Sequence, residues 1–156
     1  MAPIQKRGTA NSEDLQLEGE VVGLWFAMQA RLEAHFTRVA ADQGLSAVQA
    51  KVLMQLQPAG AVTMRSLADQ LRYDASNLTG VIDRLEERGA VRRQPHPEDR
   101  RVKGVMLTDQ GARLRLAFWH RLTGRSGPLG QLDRQQLDHL RTLLTIAMDG
   151  PREPTG

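Results

Sequence analysis

Apolar residues step through this chain by three and four over most of its length, and by two over one short stretch. From residue 17 to about 41, Leu17, Val21, Leu24, Met28, Leu32, Phe36 and Val39 form one stripe, which predicts a single long helix. Its roughly 25 residues would span about 37 Å. That is long for so small a protein, and it leaves apolar surface for a partner chain; Trp25 and Phe26 widen the stripe further. Gly44 is placed to end this helix in a left-handed conformation. Ser46 then caps a helix over residues 47–57, with Val48, Val52, Leu53 and Leu56 inward and Pro58 and Gly60 closing it.

Residues 64–71 predict a short helix capped by Thr63, with Leu67, Ala68 and Leu71 inward. Arg72, Tyr73 and Asp74 make a turn. A second helix follows, capped by Asp74 or Ser76 and stopped near Arg88 by Gly89, with Leu78, Val81, Ile82 and Leu85 as its apolar stripe. Its other face carries Ser76, Asn77, Thr79, Gly80, Asp83 and Arg84. The first half of that face is small and uncharged, so hydroxyl and amide groups can approach base edges and exchange hydrogen bonds there. Any amphipathic surface helix can show such a face. Two short helices joined by a tight turn, however, are the parts of a helix-turn-helix.

The period then changes to two. Residues 91–94 are one strand candidate and 103–107 the other, where Lys103, Val105 and Leu107 alternate with Gly104 and Met106. Pro95 and Pro97 forbid a helix between them and favour a turn. The hairpin tip carries Asp99, Arg100 and Arg101. An arginine on an extended finger can enter a minor groove, whose negative potential attracts it. Asp99 and Arg101 are two apart, so in extended chain they share a side and the carboxylate can hold the guanidinium. A charged tip alone is usually just solvated; directly after a helix-turn-helix it reads as a wing.

Thr108 caps the next helix, residues 109–123, whose apolar side is Leu114, Ala117, Phe118 and Leu122 with Trp119 beside them; Asp109 suits the positive end of its dipole. Residues 124–130 form a loop. Asp133 caps a last helix with Leu137, Leu140, Leu144 and Ala147 in register, thickened by Leu143, Ile146 and Met148. The expected fold is mainly α with a small β-hairpin wing: a winged helix-turn-helix flanked by N- and C-terminal dimerisation helices. Residues 15–45 and 108–149 make the dimerisation region, 46–107 the DNA-binding region, and 1–14 and 150–156 disordered tails.

Composition narrows the chemistry. The 156 residues favour one domain and contain no cysteine, which removes disulfides, thiolate metal sites and thiol redox sensing. The net charge of +3 is weak evidence for a nucleic-acid partner, but the nine basic residues between positions 61 and 107, against seven acidic ones, cluster in the hairpin. No apolar run is long enough to span a membrane, and residues 1–12 lack the apolar core of a signal peptide, so a cytoplasmic location is expected. His35, His96, His120 and His139 fall at no metal-ligand spacing. Neither a nucleophile elbow nor a phosphate-cradling glycine loop is present. No enzyme activity, metal or cofactor is expected.

The run LSAVQAKVL, LADQL, SNLTGVIDRLEERGAVRR and PEDRRVKGVMLTDQG resembles the MarR family of bacterial transcription regulators over about residues 45–114. Its most specific part is Asp99-Arg100-Arg101 followed by Leu107-Thr108 and Gly111. The resemblance implies a homodimeric repressor on a pseudo-palindromic operator, released when a small aromatic or phenolic molecule binds between the dimer helices and the reading head. Ser76, Asn77 and Thr79, with Gly80 on the same face, would read bases; Arg101, held by Asp99, would enter the minor groove; Arg65, Ser66, Arg84 and Arg100 would hold phosphates. Similar members often carry a basic residue where this chain has Gly80. Some members sense peroxides through cysteine, which this chain cannot do. Candidate ligand-pocket residues are Trp25, Met28, His35, Met54, Tyr73 and Trp119. Two other readings stay open: a winged helix used to bind protein, and an architectural DNA binder without sequence preference.

Overall fold

Residues 11–57, 60–95 and 103–149 are described by the structure, a computed structural model. Helix α1 (Ser12–Asp42) leads to α2 (Ala47–Gln55), strand β1 (Val62–Thr63), α3 (Met64–Leu71), α4 (Ala75–Glu87), β2 (Val91–Pro95), β3 (Lys103–Leu107), α5 (Asp109–Leu122) and α6 (Arg134–Asp149). Helix α1 starts earlier than its apolar stripe. A capping box sets the start: Asn11 Oδ1 accepts from the Asp14 N–H at 2.8 Å, and the Asn11 N–H donates back to the Asp14 carboxylate. Its 31 residues make it about 46 Å long.

Capping chemistry places the other helices too. Ser46 and Gln49 form a reciprocal box at the start of α2, and Asp133 and Gln136 form one before α6. Gly44 and Gly89 close α1 and α4 at positive φ, where a Cβ would be strained.

The three strands form one antiparallel sheet in the order β1-β3-β2. Val62 pairs with Val105 and Thr63 with Gly104, while Val91 to Pro95 run against Leu107 to Lys103. The sequence pattern predicts only the hairpin; β1 is an addition, since two residues are too few to show alternation.

The core lies under the reading head. Leu53, Leu56, Leu67, Leu78, Ile82, Leu85, Val91, Val105 and Phe118 are all but inaccessible to water. Only the C-terminal end of α1 joins this core, through His35, Val39 and Ala40. There the Phe36 and Phe118 rings meet edge to face at 4.9 Å, joining α1 to α5. The rest of the α1 stripe stays outside: Leu17, Val21, Leu24, Trp25 and Phe26 are each more than half exposed. Helix α6 buries no residue, and Leu143, Ile146 and Met148 face away from the core. Among the described residues no helix is long and apolar enough to cross a membrane.

Candidate nucleic-acid interface

The site starts at Thr63, whose hydroxyl accepts from the Ser66 N–H at 3.1 Å and so opens α3. The helix closes on Arg72, a non-glycine residue held at φ 53°. Two backbone bonds enforce that conformation, Tyr73 N–H to Ala68 O and Arg72 N–H to Asp69 O. Nothing in an arginine signals it, and the turn was expected without it. Leu67 and Ala68 are buried against the core, so α3 fixes where α4 begins.

Helix α4 divides cleanly. Leu78, Ile82 and Leu85 are fully buried, while Ser76, Asn77, Thr79, Gly80, Asp83 and Arg84 are exposed. At Gly80 an added Cβ would meet nothing within 4 Å, so that face is open to a groove. Asp74 stands at the cap position but makes no side-chain capping bond. Of the residues assigned to phosphate, Arg65 and Arg84 are exposed; Ser66 is half-buried, its hydroxyl accepting from Gln70 at 3.0 Å.

Two acids on α4 hold the wing. Arg93 on β2 donates to Asp83 at 2.6 Å and to the Glu86 carboxylate, and its backbone N–H donates to Glu86 at 2.9 Å. The basic strand expected from the sequence is therefore partly neutralised: Arg93 serves the fold, while Arg92 faces water. The signal that could have revealed this is the spacing of Asp83 and Glu86, one helical turn apart on the side where the strand returns. The backbone bond from Arg93, reinforced by its guanidinium, holds the Glu86 carboxyl below the usual carboxylate range, against desolvation and the nearby Asp83. Partial burial pulls the Arg93 guanidinium down, but its bonds to the two acids outweigh that and raise it.

A pH dependence follows. Because folding lowers the Glu86 pKa, its contribution is present above the unfolded carboxylate range and is lost as pH falls through the folded value. The pair is solvent-screened, so Glu86→Gln should cost only about 0.2–1 kcal/mol at pH 7. Urea titrations should show that offset shrinking towards about pH 4; an equal offset at both pH values would contradict the brace.

Asp99, Arg100 and Arg101 lie outside the described residues, so the contacts expected of the wing tip rest on the sequence. Strands β2 and β3 form at the expected positions and pair antiparallel on either side of that segment.

The region between α4 and α5 explains the Leu107-Thr108 and Gly111 motif. The Thr108 hydroxyl accepts from the Gly111 N–H at 3.0 Å and donates to Gly89 O at 2.6 Å, tying the start of α5 to the end of α4.

The family model described as the MarR family matches residues 45–103. The chain is 28% identical to the HTH-type transcriptional regulator PecS of Dickeya dadantii, over 80% of this chain and 77% of that protein. It is 39% identical to the uncharacterized HTH-type transcriptional regulator YfiV of Bacillus subtilis, but that match spans only 45% of this chain and 44% of that protein. MarR from E. coli in its apo form is similar in structure, with a TM-score of 0.70 at 25% identity over 80% of this chain and 93% of that one. A mutant of the same MarR complexed with operator DNA gives a TM-score of 0.61 at 26% identity over 83% and 94%. The chain is similar to the MarR family over residues 45–103, and its structure is similar to that of MarR.

Its fold is that family's winged helix, and its relatives are transcription regulators rather than enzymes. Among the described residues, no group of three His, Asp or Glu side chains is arranged to hold a metal.

The expected ligand-pocket set is only partly brought together. Met54 and Trp119 line one pocket of about 410 Å³, together with Gln55, Arg115 and Leu116. Trp119 also lines a larger cleft of about 880 Å³ beneath the loop between α5 and α6. Trp25, Met28, His35 and Tyr73 line neither. Trp25 lies on the exposed part of α1, Tyr73 is exposed in the α3–α4 turn, Met28 is half-buried and His35 is buried. The sequence reading missed Arg115, which stands one helical turn before Trp119 on α5.

Proposed function

We propose that this chain is a homodimeric, sequence-specific, cytoplasmic transcription regulator that represses by occupying operator DNA. The observation that carries the reading is the open polar face of α4, flanked by a wing braced onto the same helix. Likeness to a MarR mutant complexed with operator DNA supports it. Ser76, Asn77 and Thr79 read bases in the major groove, with Gly80 allowing close approach. Arg65, Ser66, Arg84 and Arg100 hold phosphates, and Arg101, positioned by Asp99, enters the minor groove.

Residues 15–45 and 108–149 form the dimer region around the reading head at 46–107. Support comes from the apolar residues left outside the core on α1 and α6. Two-fold pairing sets the recognition helices about 34–36 Å apart, one duplex turn. A small aromatic or phenolic effector would bind in the pocket lined by Met54, Arg115 and Trp119. Binding there releases DNA if the ligand prefers the arrangement with misplaced recognition helices.

Arg101→Ala should weaken operator binding by about 1–3 kcal/mol and lower the log–log salt slope by about one. Fluorescence anisotropy across a salt series checks both. Unchanged affinity and slope would remove the wing from the interface; no DNA binding by the parent protein would favour a protein-interaction module.

A further inference from the structure

Arg88 closes α4, and its side chain leaves that helix for another. Nη1 donates to Gly44 O and Nη2 to Gln43 O, both at 2.7 Å. These carbonyls belong to the end of α1, whose last turn holds no basic residue of its own. Arg88 thus supplies from α4 the cation that the negative end of α1 lacks. Gly44 sits at φ 65°, a conformation that suits glycine, and this turn presents its carbonyl to the guanidinium. On the other side the Arg88 carbonyl accepts from Gln110 of α5 at 3.0 Å. The C-terminal end of the recognition helix is therefore fastened to α5 and to α1, the longest helix and one that carries exposed apolar surface.

We infer that Arg88 is a positioning residue that sets the angle of α4 to α1, and through it the half-site spacing the dimer accepts. The inference rests on the DNA-binding dimer proposed above. Its leverage is geometric. The 13 residues of α4 make a rod of about 19.5 Å. A swing of about 10° at the fastened end moves the reading end by about 3.4 Å, one nucleotide step. Burial of Leu78, Ile82 and Leu85 holds the rod on the core, and the forked contact removes the angular freedom that burial leaves. The acceptors are backbone carbonyls, so the coupling depends on the side chain of Arg88 and not on those of residues 43 and 44.

The test uses full-length protein and a duplex enriched by the parent protein from a random pool, then remade with one or two base pairs inserted or deleted between half-sites. The parent should bind the enriched spacing well and the altered ones poorly. Arg88→Gln should lose about tenfold at the enriched spacing and little at the others, flattening the profile. Arg88→Lys, which keeps the charge and loses the fork, should fall between. Thermal melts and sedimentation identify any variant that has lost fold or dimer; if Arg88→Gln does, Arg88→Lys carries the comparison. Equal loss on every duplex, or no change, overturns the positioning role while leaving DNA binding intact. Failure of the parent to enrich any sequence overturns both.

Discussion

Gly111→Ala should destabilise the protein by about 3 kcal/mol, at the upper end of what overpacking usually costs. A Cβ at this position would stand 1.8 Å from the Ala90 carbonyl oxygen and 2.8 Å from its carbon. Both are backbone atoms, so no side chain can move aside. The same backbone is pinned from other directions: Thr108 N–H donates to Ala90 O at 3.1 Å, and Ala112 N–H to Thr108 O at 2.8 Å. Relief requires α5 to lift from the end of α4, which would break the Thr108 bond to Gly89. In a chain this size the melting temperature should fall by about 6–12 °C, and the urea midpoint should fall with little change in slope. Gly80→Ala makes the control. Its Cβ meets open space in the interior of α4, so it should stabilise by about 0.5–1 kcal/mol. No loss of stability at Gly111 would show that α4 and α5 do not meet in solution as described, and a loss at Gly80 would show that its face of α4 is not open.

Placing an aspartate on the outward apolar face should abolish tight DNA binding without unfolding the chain. Leu24 is 71% exposed and Ile146 is 58% exposed, so Leu24→Asp and Ile146→Asp each put a charge into water in a single protomer. In a dimer the same charge is buried without a partner, at a cost of several kcal/mol. Losing the second reading head removes the effective-concentration gain of two linked sites, which is 10²-fold or more. Sedimentation should show monomers with unchanged circular dichroism, and anisotropy should show operator affinity down by about that factor. If mass and affinity are both retained, those faces serve some other contact.

The reading head was largely legible in the sequence. Thr63, Thr108 and the positive-φ glycines bound their helices chemically, and the period-two run at 103–107 marked its strand. What escaped depends on three dimensions. Strand β1 is too short to carry a period and exists because β3 offers it an edge. Arg93 reads as part of a basic hairpin until α4 is seen to place Asp83 and Glu86 beneath it. The start of α1 reads as a tail because its first turn is polar, although Asn11 and Asp14 carry the capping signal. Periodicity in α6 predicts an apolar stripe but not its cover, and among the described residues none of the helix is fully buried. The pocket set is only partly brought together for a related reason: aromatic content does not tell which helices meet, and α2 and α5 bring Met54 to Trp119 while Trp25 sits farther out on α1.

The most direct measurement is enrichment of random duplex DNA by the purified protein, with the stoichiometry of the best duplex determined by sedimentation. Two protomers on an inverted repeat with half-site centres about 10–10.5 base pairs apart is the predicted result. One protomer per duplex, or no enriched sequence at all, would contradict the account.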